Sequence, residues 1–399
     1  MGFLSNSAPR DVIPRRAMAA PLAALGALGA AAPRRNVRSR VSPRRSRVAA
    51  RAVESNASPP ARLEGEKLEK YMARMAEDLT HLFDEQGIDK DLYEANVSFE
   101  DPLTKYDDID GYLFNIGMLK NVFRPVYTMH SIEQTGDWEL STRWTMNMSL
   151  PKLPFFWGPE LTFTGTSVMG INPATMRVST HFDTWDAIQT QGFFLKTGDP
   201  GGVAEVLRQI FDFTLQPDLE TPEYVVLRRY ADYEVREYEP FLVAETNTGG
   251  RLGAGAMTGR DFNPFGALAG YIFGGNETGE KMAMTTPVYT SEGKMQFVMS
   301  RRFRDASALP KPKEGSGVSV SERPGGIFAA ARFTGVATDD LATEAERRLV
   351  AATRRDGHVV KSGVGASLAQ YNDPATNPLR RRNDVLVELE GFDKGRLDK

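Results

Sequence analysis

Apolar side chains recur every three or four residues from Leu68 to Phe83 (Leu68, Tyr71, Met72, Met75, Leu79, Leu82, Phe83), and Gly87 follows. That spacing predicts an amphipathic helix over about 66–86, stopped by the glycine. A loop with the sequence FEDPLTKYDDIDGY comes next, and then a second helical stretch, LFNIGMLKNVF. From Tyr127 the apolar period drops from about 3.6 to two. VYTMHSIEQ, WELSTRWTMNM, LTFTGTSVMGI and MRVSTHFDTWD alternate as successive strands separated by Gly, Asp, Asn and Pro turns. Helices followed by an antiparallel meander predict an α+β cone, a curved sheet wrapped over a helix.

Residues 189–222 carry the glycine- and proline-rich run QTQGFFLKTGDPGG, a short helical pattern at 203–213 and the stop QPDLETP, which marks them as a connector. Beyond Glu223 the pattern occurs twice. Strands at 233–238 and 241–247, a helix at 263–273 and strands at 284–290 and 295–300 form a first ββαββ unit. Strands at 317–322 and 327–334, a helix at 338–355 and strands at 364–371 and 384–390 form a second, and KPKEGSG joins the two. Two such units closing together predict a curved antiparallel sheet or barrel with two helices packed alongside.

One segment of this region, YIFGGNETGEKMAMTTPVYTS (271–291), superficially has the spacing of a phosphate-binding loop. The chemistry does not follow. Glu280 stands where the lysine belongs, Lys281 is one position late, and Met282 replaces the Ser or Thr. The order of elements is also reversed: Asn263 and Pro264 open a helix, Phe265, Leu268, Tyr271 and Ile272 form its apolar stripe, and Gly274 suits a left-handed C-terminal cap. A phosphate loop needs strand, loop, helix. Here the order is helix, loop, strand.

The chain has 399 residues and no cysteine, which removes disulfides, thiolate metal sites and cysteine nucleophiles. Its four histidines, at 81, 130, 181 and 358, are scattered, so a zinc site is not expected. The net charge of −3 conceals an asymmetry: residues 1–53 hold eleven arginines and one acid, Asp11, whereas the remainder is acidic. An acidic body excludes nucleic acid as the expected partner. Residues 1–53, rich in Ala, Arg, Pro and Ser, have the composition of an organelle transit peptide, with processing expected near Ala52. Their apolar run, 17–32, is 16 residues long and contains Pro21, short of the ~20 residues that span a bilayer. No later run is long enough either.

Five ordered blocks, YADYEVREYEPFLVAET (230–246), FGALAGYIFGGNETGEKMAMTTPVYT (265–290), MQFVMS (295–300), ALPKPKEGSGV (308–318) and YNDPATNPLRRRNDVLVEL (371–389), resemble the SOUL/heme-binding protein family. FEDP (99–102), PKLPFFWGPELTFTGTS (151–167) and HFDTWD (181–186) are similar to the domain of unknown function that precedes SOUL domains in plant and algal plastid proteins, itself similar to nuclear transport factor 2-like cones. The resulting division is 1–53 transit peptide, 64–188 cone, 189–220 linker and 221–393 SOUL domain. The resemblance implies a distorted antiparallel β-barrel of two ββαββ repeats flanked by two helices. It also implies heme or another tetrapyrrole as ligand, carried or buffered in a plastid without chemistry of its own. Tetrapyrrole-metabolism enzymes, or lipid globules such as plastoglobules or eyespots, are the partners it suggests. No histidine lies in 223–356, so a histidine axial ligand does not transfer. The candidate groove is Phe265, Leu268, Tyr271, Ile272, Met282 and Met284, with Lys281 and Arg332 toward the propionates. The alternative for the apolar members is packing of helix against sheet. The run Arg380-Arg381-Arg382 is expected to be a solvated turn.

His181, Asp183 and Trp185 alternate along one strand and share a face. If that face points into the cone, it forms a pocket with Asp101 as a further carboxylate. A ligand pocket, a docking surface or acid–base work on a small hydrophobic substrate are all compatible with that set.

Overall fold

In the computed structural model, residues 62–150, 159–249, 263–291 and 293–394 are described. The arginine-rich segment 1–53 and residues 151–158 lie outside them. Helix α1 (Gly65–Thr80) is shorter than its apolar stripe predicts. The chain turns at His81, and the Asp84 side chain then accepts from the backbone N–H groups of Gln86 and Gly87. Helix α2 (Ile109–Phe123) starts where Asp108 accepts from Gly111 N at 2.7 Å. These helices pack on a six-stranded sheet of β1 (Tyr93–Glu100), β2 (Lys105–Tyr106), β3 (Val126–Gly136), β4 (Glu139–Ser149), β5 (Glu160–Asn172) and β6 (Arg177–Trp185), ordered β2-β1-β6-β5-β4-β3. The β3–β6 meander is antiparallel as the alternation predicts. The period-two pattern does not announce β1, which pairs parallel with β6 and covers the otherwise open edge of the meander. Gly165 on β5 allows the sheet's close packing: a Cβ there would fall 2.0 Å from Thr184 O.

The connector forms α3 (Phe194–Thr197) and α4 (Gly201–Ile210). It leads into β7 (Tyr224–Arg229), a strand the sequence pattern misses. The first repeat follows as β8 (Glu234–Tyr238), β9 (Phe241–Asn247), α5 (Pro264–Ile272), β10 (Val288–Ser291) and β11 (Lys294–Val298). The second is β12 (Ser319–Arg323), β13 (Gly326–Phe333), α6 (Asp339–Arg355), β15 (Ser367–Gln370) and β16 (Asn383–Glu390), with the short β14 (Val359–Val360) added beside β16. All join one antiparallel sheet ordered β12-β9-β11-β10-β15-β16-β13-β8-β7.

That order is symmetric about the β10/β15 junction. Each repeat keeps three strands together, while its first strand crosses to the other: β8 pairs with β13 and β12 with β9. The repeats are therefore interleaved. The sheet curls without pairing between β12 and β7, so it is an open half-barrel rather than a closed one.

The interleaving is held by buried charge. Asp384 on β16 is fully buried and accepts from Arg236 Nη1 on β8 at 2.7 Å and Arg382 Nη2 at 2.8 Å, with Tyr371 Oη at 3.3 Å. Arg236 also donates to Glu234 at 2.9 Å, and Arg382 lies over the Tyr371 ring at 4.0 Å. Arg382 is thus a core residue and not part of a solvated turn; Arg381 is spent on the carbonyls of Thr376 and Pro374. Burial pushes the Asp384 and Glu234 carboxyls upward, but the surrounding arginines outweigh it, holding Asp384 far below the usual range and Glu234 at about 2.

Asp384→Asn should destabilise the chain by about 3–5 kcal/mol in denaturant unfolding, because it leaves Arg236 and Arg382 buried against a neutral group. The depressed carboxyls contribute stability that is complete above the unfolded carboxylate range, ~4, and is lost as pH falls toward about 2. The stability of the wild type should therefore drop more steeply over that window than that of Asp384→Asn. Equal slopes would show that the cluster is not coupled to folding.

Candidate functional site

The cone encloses a cavity with about 880 Å³ of space between its walls, its mouth included. It lies between two apolar clusters. One includes Leu79, Phe99, Tyr112 and Ile116; the other includes Phe123, Trp144, Met148, Leu161, Phe163, Trp185 and Val206. Helix α2 supplies one wall because Tyr112, Asn115, Ile116, Leu119 and Phe123 share a helical face. Strands β4, β5 and β6 supply the other through their inward alternation.

His181, Asp183 and Trp185 all line this cavity, and so does Asp101. Asp183 Oδ1 accepts from His181 Nε2 at 2.9 Å and from Ser167 Oγ at 2.5 Å, while Trp144 Nε1 donates to Ser167 Oγ at 2.9 Å. This chain of donors orients His181 with its Nδ1 as the free acceptor. That atom is buried and has no hydrogen-bond partner. The imidazole is held edge-on against Phe99 and Tyr112, at centroid distances of 5.2 and 5.4 Å.

Asp101 belongs to the FEDP turn after β1. Its Oδ1 accepts from Leu103 N at 2.6 Å and Thr104 N at 2.5 Å, which fixes the carboxyl toward the cavity. Burial, with the charge of Asp183 added, raises this carboxyl to about 7 despite those two N–H groups. Sequence reasoning did not single out Asn115, Ser167, Tyr112 or Trp144. A lone asparagine within the apolar stripe of α2 is the available signal, and Asn115 Oδ1 is indeed buried and unpartnered. Ser167 and Trp144 carry no such mark, since their contact joins two strands 23 residues apart.

The residues expected to form a tetrapyrrole groove are divided by the structure. Leu268, Tyr271, Ile272 and Met282 are buried with Leu242, Met295, Phe297 and Leu309, so they join α5 to the sheet and present no open groove. The Tyr271 hydroxyl donates to Pro310 O at 2.6 Å. Phe265 and Met284 are half-buried at the margin of that cluster, and Lys281 is exposed. Arg332 is elsewhere: it pairs with Asp212 at 2.6 Å and approaches Asp384 at 3.7 Å. It lines a second, polar cavity of about 810 Å³, mouth included, together with Arg208, Arg229, Glu234 and Tyr233. Its partners there are carboxylates of the chain itself.

What α5 leaves outside is distinctive. The helix PFGALAGYI contains no charged side chain, and Gly266, Gly270 and Phe273 are exposed on its outer side, Phe273 by 58%, with half-buried Ala269 at the border between them and the core. Asn263 caps the helix by accepting from Gly266 N, and Gly274, at φ 99°, ends it in a conformation that favours glycine. The following GGNETGEK loop is built around buried Asn276, whose amide donates to Tyr271 O and Glu280 O and whose Oδ1 accepts from Glu280 N and Thr278 Oγ1. Its backbone groups are thus engaged by the loop itself, and the nucleotide reading has no structural support. His358 is paired with the Tyr230 hydroxyl at 2.6 Å, away from α5. Among the described residues no group of three or more His, Asp or Glu could hold a metal ion, and no helix is long and apolar enough to cross a membrane.

Residues 219–388 match the SOUL heme-binding protein family and residues 69–181 the uncharacterized conserved protein family DUF2358. No curated protein matches the chain. Solved structures similar to it include an NTF2-like protein of unknown function from Exiguobacterium sp. 255-15 (17% identity, 30% of this chain and 98% of that one, TM-score 0.24). A putative SnoaL-like polyketide cyclase from Shewanella denitrificans OS-217 is also similar (15% identity, 29% and 90%, TM-score 0.26). So is an LEH-like epoxide hydrolase from M. tuberculosis (11% identity, 36% and 92%, TM-score 0.26).

If the Asp101 carboxyl is raised as its surroundings dictate, the native state binds a proton that the unfolded chain has released between pH ~4 and about 7. Stability should then fall as pH rises through that range. Asp101→Asn keeps the Oδ1 acceptor for Leu103 and Thr104 but cannot ionise, so thermal melts should show it more stable relative to wild type at pH 8 than at pH 5. A difference that does not change with pH would contradict this assignment.

Proposed function

We propose that this chain, which carries a SOUL domain at residues 219–388, binds heme or a closely related tetrapyrrole as a carrier or buffer and performs no chemistry on it. The family match carries this reading. The geometry of α5 supplies a place for the ligand: a charge-free helix whose outward stripe is flat because two of its members are glycines. A macrocycle face laid on Gly266, Ala269, Gly270 and Phe273 would cover apolar surface that water otherwise wets. Phe265 and Met284 stand at the border of the same helix and can adapt to a flat ligand. Lys281, exposed in the following loop, is a suitable cation for a propionate. The described residues offer no histidine on α5 or in the loop after it, so binding rests on face contact. The inner side of α5 packs on β9 and β11 of the half-barrel through Leu268, Ile272 and Phe297.

Purified residues 54–399 should shift the Soret band of added hemin and saturate near one equivalent. A side chain added at Gly270 meets nothing within 4 Å, so Gly270→Glu places a carboxylate on the stripe without disturbing the fold. It should weaken hemin binding at least tenfold while the melting temperature holds. No spectral change with hemin or protoporphyrin, or full binding by Gly270→Glu, would remove the proposal or its location respectively.

The same proposal includes delivery to a plastid, supported by the arginine-rich, acid-poor composition of residues 1–53. Residues 1–60 fused to a fluorescent protein should direct it to plastids in algal or plant cells. A cytosolic or mitochondrial signal would refute the assignment.

A further inference from the structure

The cone cavity is separate from the α5 surface and shares none of its residues. Its walls are largely aromatic and aliphatic, yet two acceptors on side chains more than nine-tenths buried, His181 Nδ1 and Asn115 Oδ1, belong to its lining without a hydrogen-bond partner, as does the hydroxyl of Thr104 beside Asp101. A buried polar atom left without a partner is costly, because it has given up water and gained no bond in exchange. Two such acceptors lining one apolar cavity, beside an oriented carboxyl from Asp101, mark it as a place where a ligand's hydrogen-bond donor would be favoured. We propose that the cone is a binding site for a small, mostly apolar alcohol or phenol, whose hydroxyl donates to His181 Nδ1 or Asn115 Oδ1 while its hydrocarbon body fills the space between α2 and β4–β6.

The choice of a neutral donor follows from the lining. Among the described residues neither arginine nor lysine borders the cavity, whereas Asp101 and Asp183 do, so a carboxylate or phosphate ligand would meet repulsion with no cation among them to offset it. An ammonium would lose its hydration among apolar walls and gain little from the two carboxyls, because Asp183 Oδ1 is already engaged by His181 and Ser167 and burial keeps Asp101 partly protonated near neutral pH. A hydroxyl matches the acceptors at smaller desolvation cost. The recess is narrow, so the occupant is small, and Phe99, Trp144, Phe163 and Trp185 offer ring faces and edges to a planar or branched body. The Asp183–Ser167–Trp144 chain holds His181 in the tautomer that accepts, so the site is organised before the ligand arrives.

Calorimetry on residues 54–399 at pH 7 tests this with 2-naphthol and geraniol as probes, alongside naphthalene-2-carboxylate, 2-methylnaphthalene and decylamine. At least one of the two hydroxyl compounds should bind with one site per chain, at least tenfold more tightly than all three comparison compounds, and should quench tryptophan fluorescence through Trp144 and Trp185. Asn115→Leu and His181→Phe, singly or together, should reduce that affinity tenfold or more. Ile116→Trp, which fills the cavity, should abolish it while near-ultraviolet circular dichroism and cooperative melting confirm folding. Absence of binding by both hydroxyl probes below 1 mM, a preference for the carboxylate or the amine, or unchanged affinity in every folded variant would overturn the proposal.

Discussion

The arrangement of the C-terminal sheet depends on one buried carboxylate. Asp384 sits on a strand of the second repeat and is held by Arg236 from the first strand of the first repeat and by Arg382 from its own. An interleaved sheet exchanges strands between repeats, and apolar packing alone does little to dictate which strand enters which half. A fully buried ion pair does dictate it: any other register would leave a charge unpaired in the interior.

Charge also joins the two sheets. Arg143, buried on β4 of the cone, pairs with Asp186 at the end of β6 and donates to Leu227 O on β7 at 3.1 Å. The Thr145 hydroxyl donates to Val226 O, and Arg229 N to Thr164 Oγ1 at 2.6 Å. Strand β7 is the outer strand of the half-barrel, and these contacts occupy it with side chains of the cone. The exposed edge that would invite pairing with another chain is thereby engaged within this one. The same contact brings the end of β6, which carries His181 and Asp183 on its inward face, into contact with the SOUL domain.

Two surfaces of different character result. The stripe on α5 is open, apolar and free of charge, and suits a large flat ligand. The cone cavity is recessed, with a few oriented polar atoms, and suits a small one. The residues that were expected to line a single groove are shared among a core, a rim and a distant ion cluster. Leu268, Tyr271 and Ile272 are core because the three- and four-residue spacing that marks an apolar face marks the face toward the sheet; the outward face is the complementary one, and its glycines carry no hydrophobic signal strong enough to be seen by period.

The sequence by itself determined the local elements and their order. The periods of 3.6 and two, the Asn263-Pro264 start and Gly274 stop of α5, the doubled ββαββ pattern and the shared face of His181, Asp183 and Trp185 all depend on neighbours within a few residues. The tertiary structure decided everything that depends on distant partners. It made β1 a strand by giving it β6, and β7 a strand by giving it β8. It turned Arg382 from an apparent surface charge into a core residue by surrounding it with Asp384 and Tyr371, and it left Asn115 and His181 with unpartnered atoms facing one cavity. Propensity and periodicity report what a residue can do with the chain beside it. Burial and hydrogen-bond satisfaction are set by residues tens to hundreds of positions away, and these two quantities separate core, ion cluster and ligand site.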